Sequence, residues 1–234
     1  EAMGAEPSAV VIGLAFPRNL DRRWVSDFQE GVVEECARAG VSLVGGDLSS
    51  SAHIALGVTA LGNLSGRPAV TRAGARAGDQ VAVCGRLGCS AGGLLVLQRG
   101  FGSPKDLVLE QQCPTVPYGQ GKVAAEAGAT AMIDVSDGLL QDLGHICELS
   151  GVGIDVRTGA LKIHDSLARL AAATGKDPLG FVLAGGEDHA LAATFPAEVE
   201  LPQGWLRIGT VTAGAEVIVD GMPWTGSVGW DHFA

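Results

Sequence analysis

In MIDVSDGLL (residues 132–140), two carboxylates and a hydroxyl, Asp134, Ser136 and Asp137, follow an apolar run and precede the apolar spacing of a helix. With 131–135 read as a strand, Asp134 stands at its C-terminal end. Ser136 and Asp137 then sit at a helix N-terminus, where free N–H groups and the helix dipole favour anions. Two readings stay open. Ser136 can cap the helix while an Asp complements its dipole. Capping leaves Asp134 unexplained, because a carboxylate buried unpaired at a strand end is costly and needs a metal, a donor or a cation beside it. Two further stretches place acids after paired glycines: Gly45-Gly46-Asp47 in LVGGDLSS, read as closing a strand, and Gly185-Gly186-Glu187-Asp188 in LAGGEDHAL, read the same way after a strand at 181–184. Each alone reads as a turn. Three acid-bearing strand ends together point to hard oxygen ligands, which suit Mg²⁺ better than zinc, and neither His nor Cys falls at zinc spacing. Arg72 in AVTRAGARAGD suits a phosphate clamp or a solvated surface, and Trp230 in the terminal GWDHFA suits aromatic stacking or a buried C-terminal anchor. There is no Walker-type phosphate loop, no strand leading into G-x-G-x-x-G and a helix, and no G-x-S-x-G elbow.

The elements that must position these residues alternate along the chain. SAVVIGLA (8–15) reads as a buried strand, and 21–39 carries Trp24, Phe28, Val32, Val33 and Cys36 at helical spacing. Strands follow at 41–47 and 53–62, and EAMGAEP at the start reads as helix-like. The stretch 62–79, with Gly, Pro, Ser and several Arg and little apolar periodicity, predicts a domain boundary. Beyond it the pattern predicts strands at 80–85, 130–135, 152–156, 181–184, 190–195, 206–211 and 216–219. Helices are predicted near 89–99 and at 164–174, loop and helices over 104–130, and a helix after 138 whose apolar face is Leu139, Leu140, Leu143, Ile146, Cys147 and Leu149. Interleaved strands and helices give an α/β or α+β class.

Composition narrows the partners. Of 234 residues, 47% are hydrophobic, enough to bury one large core or two modest ones. Asp and Glu outnumber Lys and Arg 26 to 16, with no basic run, so nucleic acid is a poor partner and a phosphate compound has to be recruited by metal ions, backbone amides or placed arginines. Five cysteines without a C-x-x-C pair suit a reducing compartment, and every apolar run is too short for a membrane span. A cytoplasmic protein with no membrane contact is the expectation.

In order and spacing, EAMGAEP, LVGGDLSSS, TRAGARAGD, AMIDVSDGLLQDL, LAGGEDHAL and GWDHF resemble the motifs of the thiamine-monophosphate kinase family. That family belongs to the superfamily of aminoimidazole ribonucleotide synthetase and selenophosphate synthetase. The resemblance runs from the first residue to the last, and VSDGLL with GGED and W-D-H-F favours the kinase over its relatives. It implies direct in-line transfer of the γ-phosphoryl group of ATP to thiamine monophosphate, giving thiamine diphosphate, with several Mg²⁺ ions gathering the phosphates. By position it implies metal ligands at Asp47, Asp134 and Asp137, which act in catalysis through the metal. It implies nucleotide contacts at Gly46, Asp47, Arg72 and Ser136, and substrate contacts at Glu187 and Trp230. Such chemistry needs charge neutralisation and positioning more than covalent catalysis, and an acceptor phosphate is already ionised, so no strong general base is required.

The resemblance also implies a two-domain α/β (α+β) fold like that of aminoimidazole ribonucleotide synthetase. Residues 1–66 are then the remainder of an N-terminal ATP- and metal-binding and dimerisation domain, its strands forming a barrel across a homodimer, and 67–234 a C-terminal α/β domain. Family members carry a longer segment before AMGA, with further metal-binding aspartates. Tyr118 stands where many relatives have Arg, and His189 where Tyr is common. Two rival readings are another ATP-using synthetase of the superfamily and a truncated, non-catalytic thiamine-phosphate-binding protein.

Overall fold

Apolar β-branched runs and amphipathic helices build two units in the computed structural model, which describes residues 1–230. The first comprises Glu1 with Ala5–Pro68; the second comprises Ala2–Gly4 with the chain from Ala69 onward.

In the first unit, β1 (Glu6–Phe16) pairs in parallel with β2 (Ser42–Ser50) and antiparallel with β3 (Ala55–Asn63), in the order β2-β1-β3. The parallel crossover is α1 (Arg22–Ala39), where the Asp21 side chain accepts from the Arg23 amide at 2.9 Å and Gly40 ends the helix in the left-handed region at φ 68°. Trp24 and Phe28, one turn apart, stack at 5.5 Å. The start of the chain is not helical: residues 2–4 turn, with Gly4 at φ 75°, and strand β1 begins at Glu6. The glycines of LVGGD do not close a strand either. They lie inside β2, because β1 offers a ladder as far as Phe16 opposite Ser50. The ladder shifts register by one residue at Val44, and a Cβ on Gly46 would stand 2.1 Å from the Ile12 carbonyl oxygen, so close approach of two strands accounts for that glycine. Among the described residues of this unit only Leu14 is buried, and β2 and β3 are exposed along their whole length.

The second unit is a seven-stranded sheet ordered β10-β9-β6-β8-β4-β7-β5, antiparallel except for β6 with β9. Its strands are β4 (Gln80–Cys84), β5 (Ala131–Val135), β6 (Gly153–Val156), β7 (Ala190–Phe195), β8 (Leu206–Thr212), β9 (Val217–Val219) and β10 (Met222–Pro223). Period-two alternation sorts the central strands into two cores. Val81, Val83, Ile133, Val135, Ala190 and Ala192 pack with Leu139, Leu143 and Ile146 of α5 (Leu139–Ser150) and with α2 (Cys89–Gln98), α3 (Lys105–Gln112), α6 (Asp165–Thr174) and α7 (Pro178–Ala184). On the other face Ala82, Cys84, Met132, Leu191, Ala193 and Phe195 meet Trp205, Val70 and Ala124 of α4 (Gln120–Glu126). The segment read as a strand at 181–184 is the end of α7. Asp177 accepts from the Leu179 amide and Pro178 opens the first turn, a start signal that outweighs a short apolar run whose periodicity is ambiguous. Cys84, Cys89 and Cys147 are buried free thiols, and burial pushes Cys89 up to about 12. Among the described residues no helix is long and apolar enough to cross a membrane.

Candidate functional site

At one end of the seven-stranded sheet β5 finishes and β7 begins, with Val135 opposite Ala190. Three irregular segments meet there through their backbones. The Glu187 amide donates to the Ser136 carbonyl at 2.7 Å and the His189 amide to that of Val135 at 2.9 Å. The Trp230 amide donates to the Asp137 carbonyl at 2.9 Å. The structure therefore brings Ser136, Asp137, Glu187 and Trp230 together, and Asp134 stands one residue before the end of β5 on the strand adjoining them. Close packing demands the glycines: a Cβ on Gly186 would lie 2.6 Å from the Ser136 carbonyl oxygen, and one on Gly138, at φ 135°, 2.9 Å from that of Ala184.

Asp134 is half-buried and points to the face opposite α5, in phase with Met132. Its carboxylate has no hydrogen-bond or ion-pair partner among the described residues. Ser136 does not cap α5. The N-cap is Gly138, which has no side chain to offer, and Asp142 in the first turn instead gathers the amides of the turn that precedes the helix. One oxygen of Asp142, Oδ2, accepts from the amides of Ser136 (2.9 Å), Asp137 (3.1 Å) and Gly138 (3.2 Å). Burial raises the Asp142 carboxyl above its ordinary range, against the opposing pull of those amides. The adjacent Gln141 holds the C-terminal segment, its amide donating to the Val228 carbonyl and its Nε2 to the Trp230 carbonyl at 2.7 Å.

The LAGGEDHAL segment follows helix α7, so Gly185 and Gly186 extend a helix end and not a strand. Glu187 is exposed, with Oε2 3.7 Å from His189 Nε2. Asp188 instead turns inward at 5% exposure and accepts from the Gly88 and Ser90 amides at the start of α2. Burial pushes its carboxyl up to about 7, although both amides pull the other way. Glu187 and His189 flank it at φ 64° and 52°, conformations that cost about 1–3 kcal/mol each and persist where surroundings impose them.

The other candidates are placed as follows. The Thr71 carbonyl accepts from the Met132 amide along the outer edge of β5, which brings the exposed Arg72 to that edge, with its own carbonyl accepting from Ser150 Oγ. Trp230 is 64% exposed, so it is not a buried anchor. Residues 231–233 of the closing motif lie outside the described residues. Gly46 and Asp47 belong to the first unit, where they line a cavity of about 460 Å³ with Ile12, Phe28 and Val32, and Ser49 Oγ donates to Asp47 Oδ2 at 2.5 Å. Among the described residues no three His, Cys, Asp or Glu side chains form a group able to hold a metal.

Sequence reasoning passed over Asp142 and Gln141 and took Asp188 as one more acid of a turn. The signal for Asp142 was present: it lies on the buried stripe of α5, between Leu139 and Ile146, where an acid needs a partner.

Comparison with known proteins follows the same division of the chain. Residues 1–64 match the family described as AIR synthase related protein, N-terminal domain, and residues 76–221 match its C-terminal domain. Over 235 residues the chain is 48% identical to a thiamine-monophosphate kinase of Mycobacterium tuberculosis, covering 100% of this chain and 70% of that one. It is similar to a solved structure described as AaThiL complexed with AMPPCP and TMP, with TM-score 0.92 and 34% identity over 99% of this chain and 75% of that one. A crystal structure of thiamine monophosphate kinase from Aquifex aeolicus gives TM-score 0.89 at 33% identity, over 95% and 76%.

Proposed function

The chain belongs to the thiamine-monophosphate kinase family of AIR synthase related proteins, and we infer that it transfers the γ-phosphoryl group of ATP to thiamine monophosphate, releasing ADP and thiamine diphosphate. One observation carries the reading to this molecule: in a chain 48% identical over its whole length to such a kinase, a half-buried carboxylate without a partner among the described residues, Asp134, adjoins the loops that present Ser136, Asp137, Glu187 and Trp230.

In this reading Arg72 and Ser136 are nucleotide-contacting residues of the second unit, and Gly46 and Asp47 are nucleotide-contacting residues of the first. Glu187 and Trp230 hold the thiamine portion: the exposed indole offers a π-face to a cationic heterocycle and the carboxylate a complementary charge. Asp47, Asp134 and Asp137 are the proposed holders of Mg²⁺. Their hard oxygens suit that ion, and the lack of a three-acid cluster among the described residues is compatible with it, since Mg²⁺ usually takes one or two carboxylates together with phosphate oxygens and water. When bound it supplies neutralisation of the phosphate charge. The chain's own residues align the acceptor phosphate with the γ-phosphorus for in-line attack, and no protein nucleophile or strong base is needed.

A homodimer completes the proposal. The strands β2 and β3 are both edges of the three-stranded sheet, and their exposed Leu43, Leu48, Leu56 and Val58 share one face, an apolar surface of the kind that associates. A second copy closing these strands into a shared barrel would cover it. The deciding assay follows ADP and thiamine diphosphate from full chain, ATP, Mg²⁺ and thiamine monophosphate. Stoichiometric formation of both is expected; turnover on a different acceptor with none on thiamine monophosphate overturns the substrate assignment.

A further inference from the structure

We propose that Asp142 and Asp188 are positioning residues of the transfer site, two buried carboxylates that bind backbone amides in order to fix the loops carrying Ser136–Asp137 and Glu187. This rests on the phosphoryl-transfer reading. Neither carboxylate is free to meet a substrate. Asp142 is 3% exposed and its Oδ2 gathers three consecutive amides, so the backbone from Ser136 to Gly138 is folded around a single acceptor and the directions of the Ser136 and Asp137 side chains follow from it. Asp188 reaches across about a hundred residues of sequence to the Gly88 and Ser90 amides. Between its two left-handed neighbours it acts as a pin, and Glu187 is presented outward because Asp188 is held inward. The loops are joined by the hydrogen bonds from the Glu187 and His189 amides to the Ser136 and Val135 carbonyls, so displacement of either carries to the other. A transfer that depends on in-line geometry is sensitive to such displacement.

The test compares Asp142→Asn and Asp188→Asn with Asp79→Asn. Asp79 is also buried, at 6% exposure, and accepts from the Arg76 amide and Thr130 Oγ1, but it lies at the opposite end of the sheet, where Gln80 faces Phe195 and Ala131 faces Thr194. An Asn keeps one acceptor oxygen but loses the carboxylate charge that strengthens its bonds to the amides, and at Asp188 it also sets an NH₂ against the Gly88 or Ser90 amide. Kinetics are taken per folded molecule below the melting temperature of each variant. The two site variants are expected to lose kcat by one to two orders of magnitude, since small misplacements of reacting groups can cost on the order of a hundredfold. Asp188→Asn is also expected to raise KM for the acceptor. Asp79→Asn is expected to melt earlier with both constants unchanged. Asp142→Glu and Asp188→Glu retain the charge and serve as folded comparators, with part of the loss recovered.

Amide hydrogen exchange needs no substrate. It should speed up at 135–138 and 186–189 in the site variants and stay as in the wild type in Asp79→Asn. Site variants that only melt earlier, with wild-type constants and unchanged exchange in those segments, overturn the proposal. The wild-type acceptor is identified first, and the variant-to-wild-type ratio is taken on whichever acceptor turns over, so failure of the substrate reading is distinguishable from failure of this one.

Discussion

Replacing Asp188 by Asn should remove a pH dependence of stability that the fold itself creates. The carboxyl is 5% exposed and its pKa rises from the model-peptide 3.8 to about 7, burial being the main cause. The folded state therefore binds this proton more tightly than the unfolded chain does, and the contribution is fully present below pH 3.8 and lost as pH climbs through about 7. Taking one pKa unit as about 1.4 kcal/mol, the portion lost between pH 5 and pH 8 is roughly 2–3 kcal/mol. Other groups titrate in that window, so the quantity to measure is the difference between wild type and variant. Urea unfolding at pH 5 and pH 8, read from amide exchange in β4, β5 and β7, confines the measurement to the second unit. Wild type should lose roughly 2–3 kcal/mol more than Asp188→Asn over that range, its advantage at pH 5 shrinking or reversing at pH 8. Parallel stability curves for the two proteins would refute the assignment of a raised pKa to this carboxyl.

Asp134→Ala removes a carboxylate with no partner among the described residues, so stability should stay within about 0.5 kcal/mol of wild type, while kcat should drop roughly 10²–10³-fold, both read on one preparation by thermal melting and the ADP assay. An equal loss of both would return Asp134 to a structural role. Chelating divalent cations should abolish turnover and leave the melting temperature of the nucleotide-free protein unchanged, because no described acids converge as a standing metal group. Gly46→Ala sets a Cβ 2.1 Å from the Ile12 carbonyl oxygen and should open the β1–β2 ladder, seen as faster proteolysis of the first unit with the melting of the second unaltered. Leu56→Lys with Val58→Lys, on one face of β3, should convert a dimer to monomer by light scattering without lowering helix content.

How far the sequence reaches depends on the range of the forces involved. Strands β1, β4, β5 and β7 and helices α1, α5 and α6 were legible because burial of one face imprints its period on the residues. Segment 181–184 was not, since four apolar residues fit either period and the decision lay upstream, in Asp177 and Pro178. The glycines of LVGGD misled for a similar reason: they answer to the Ile12 carbonyl on a neighbouring strand and end nothing. Asp134 could be singled out because an acid closing an apolar strand has few innocent explanations. The roles of Asp142 and Asp188 could not, since their partners are backbone amides that carry no residue identity, and for Asp188 they lie about a hundred positions away.

The Asp142 cradle also alters what the start of α5 can do. A helix beginning ordinarily offers its unpaired amides to an incoming anion. Here the amides of the turn leading into it, those of Ser136, Asp137 and Gly138, are already satisfied by an internal carboxylate, so the chain carries its own counter-anion beside the place where a phosphate would otherwise settle. A nucleotide arriving as a bare polyanion would meet negative charge from Asp142, Asp137 and Asp134. On the proposed reading it becomes an acceptable guest only when escorted by a cation, which makes the supply of that cation a gate on binding itself.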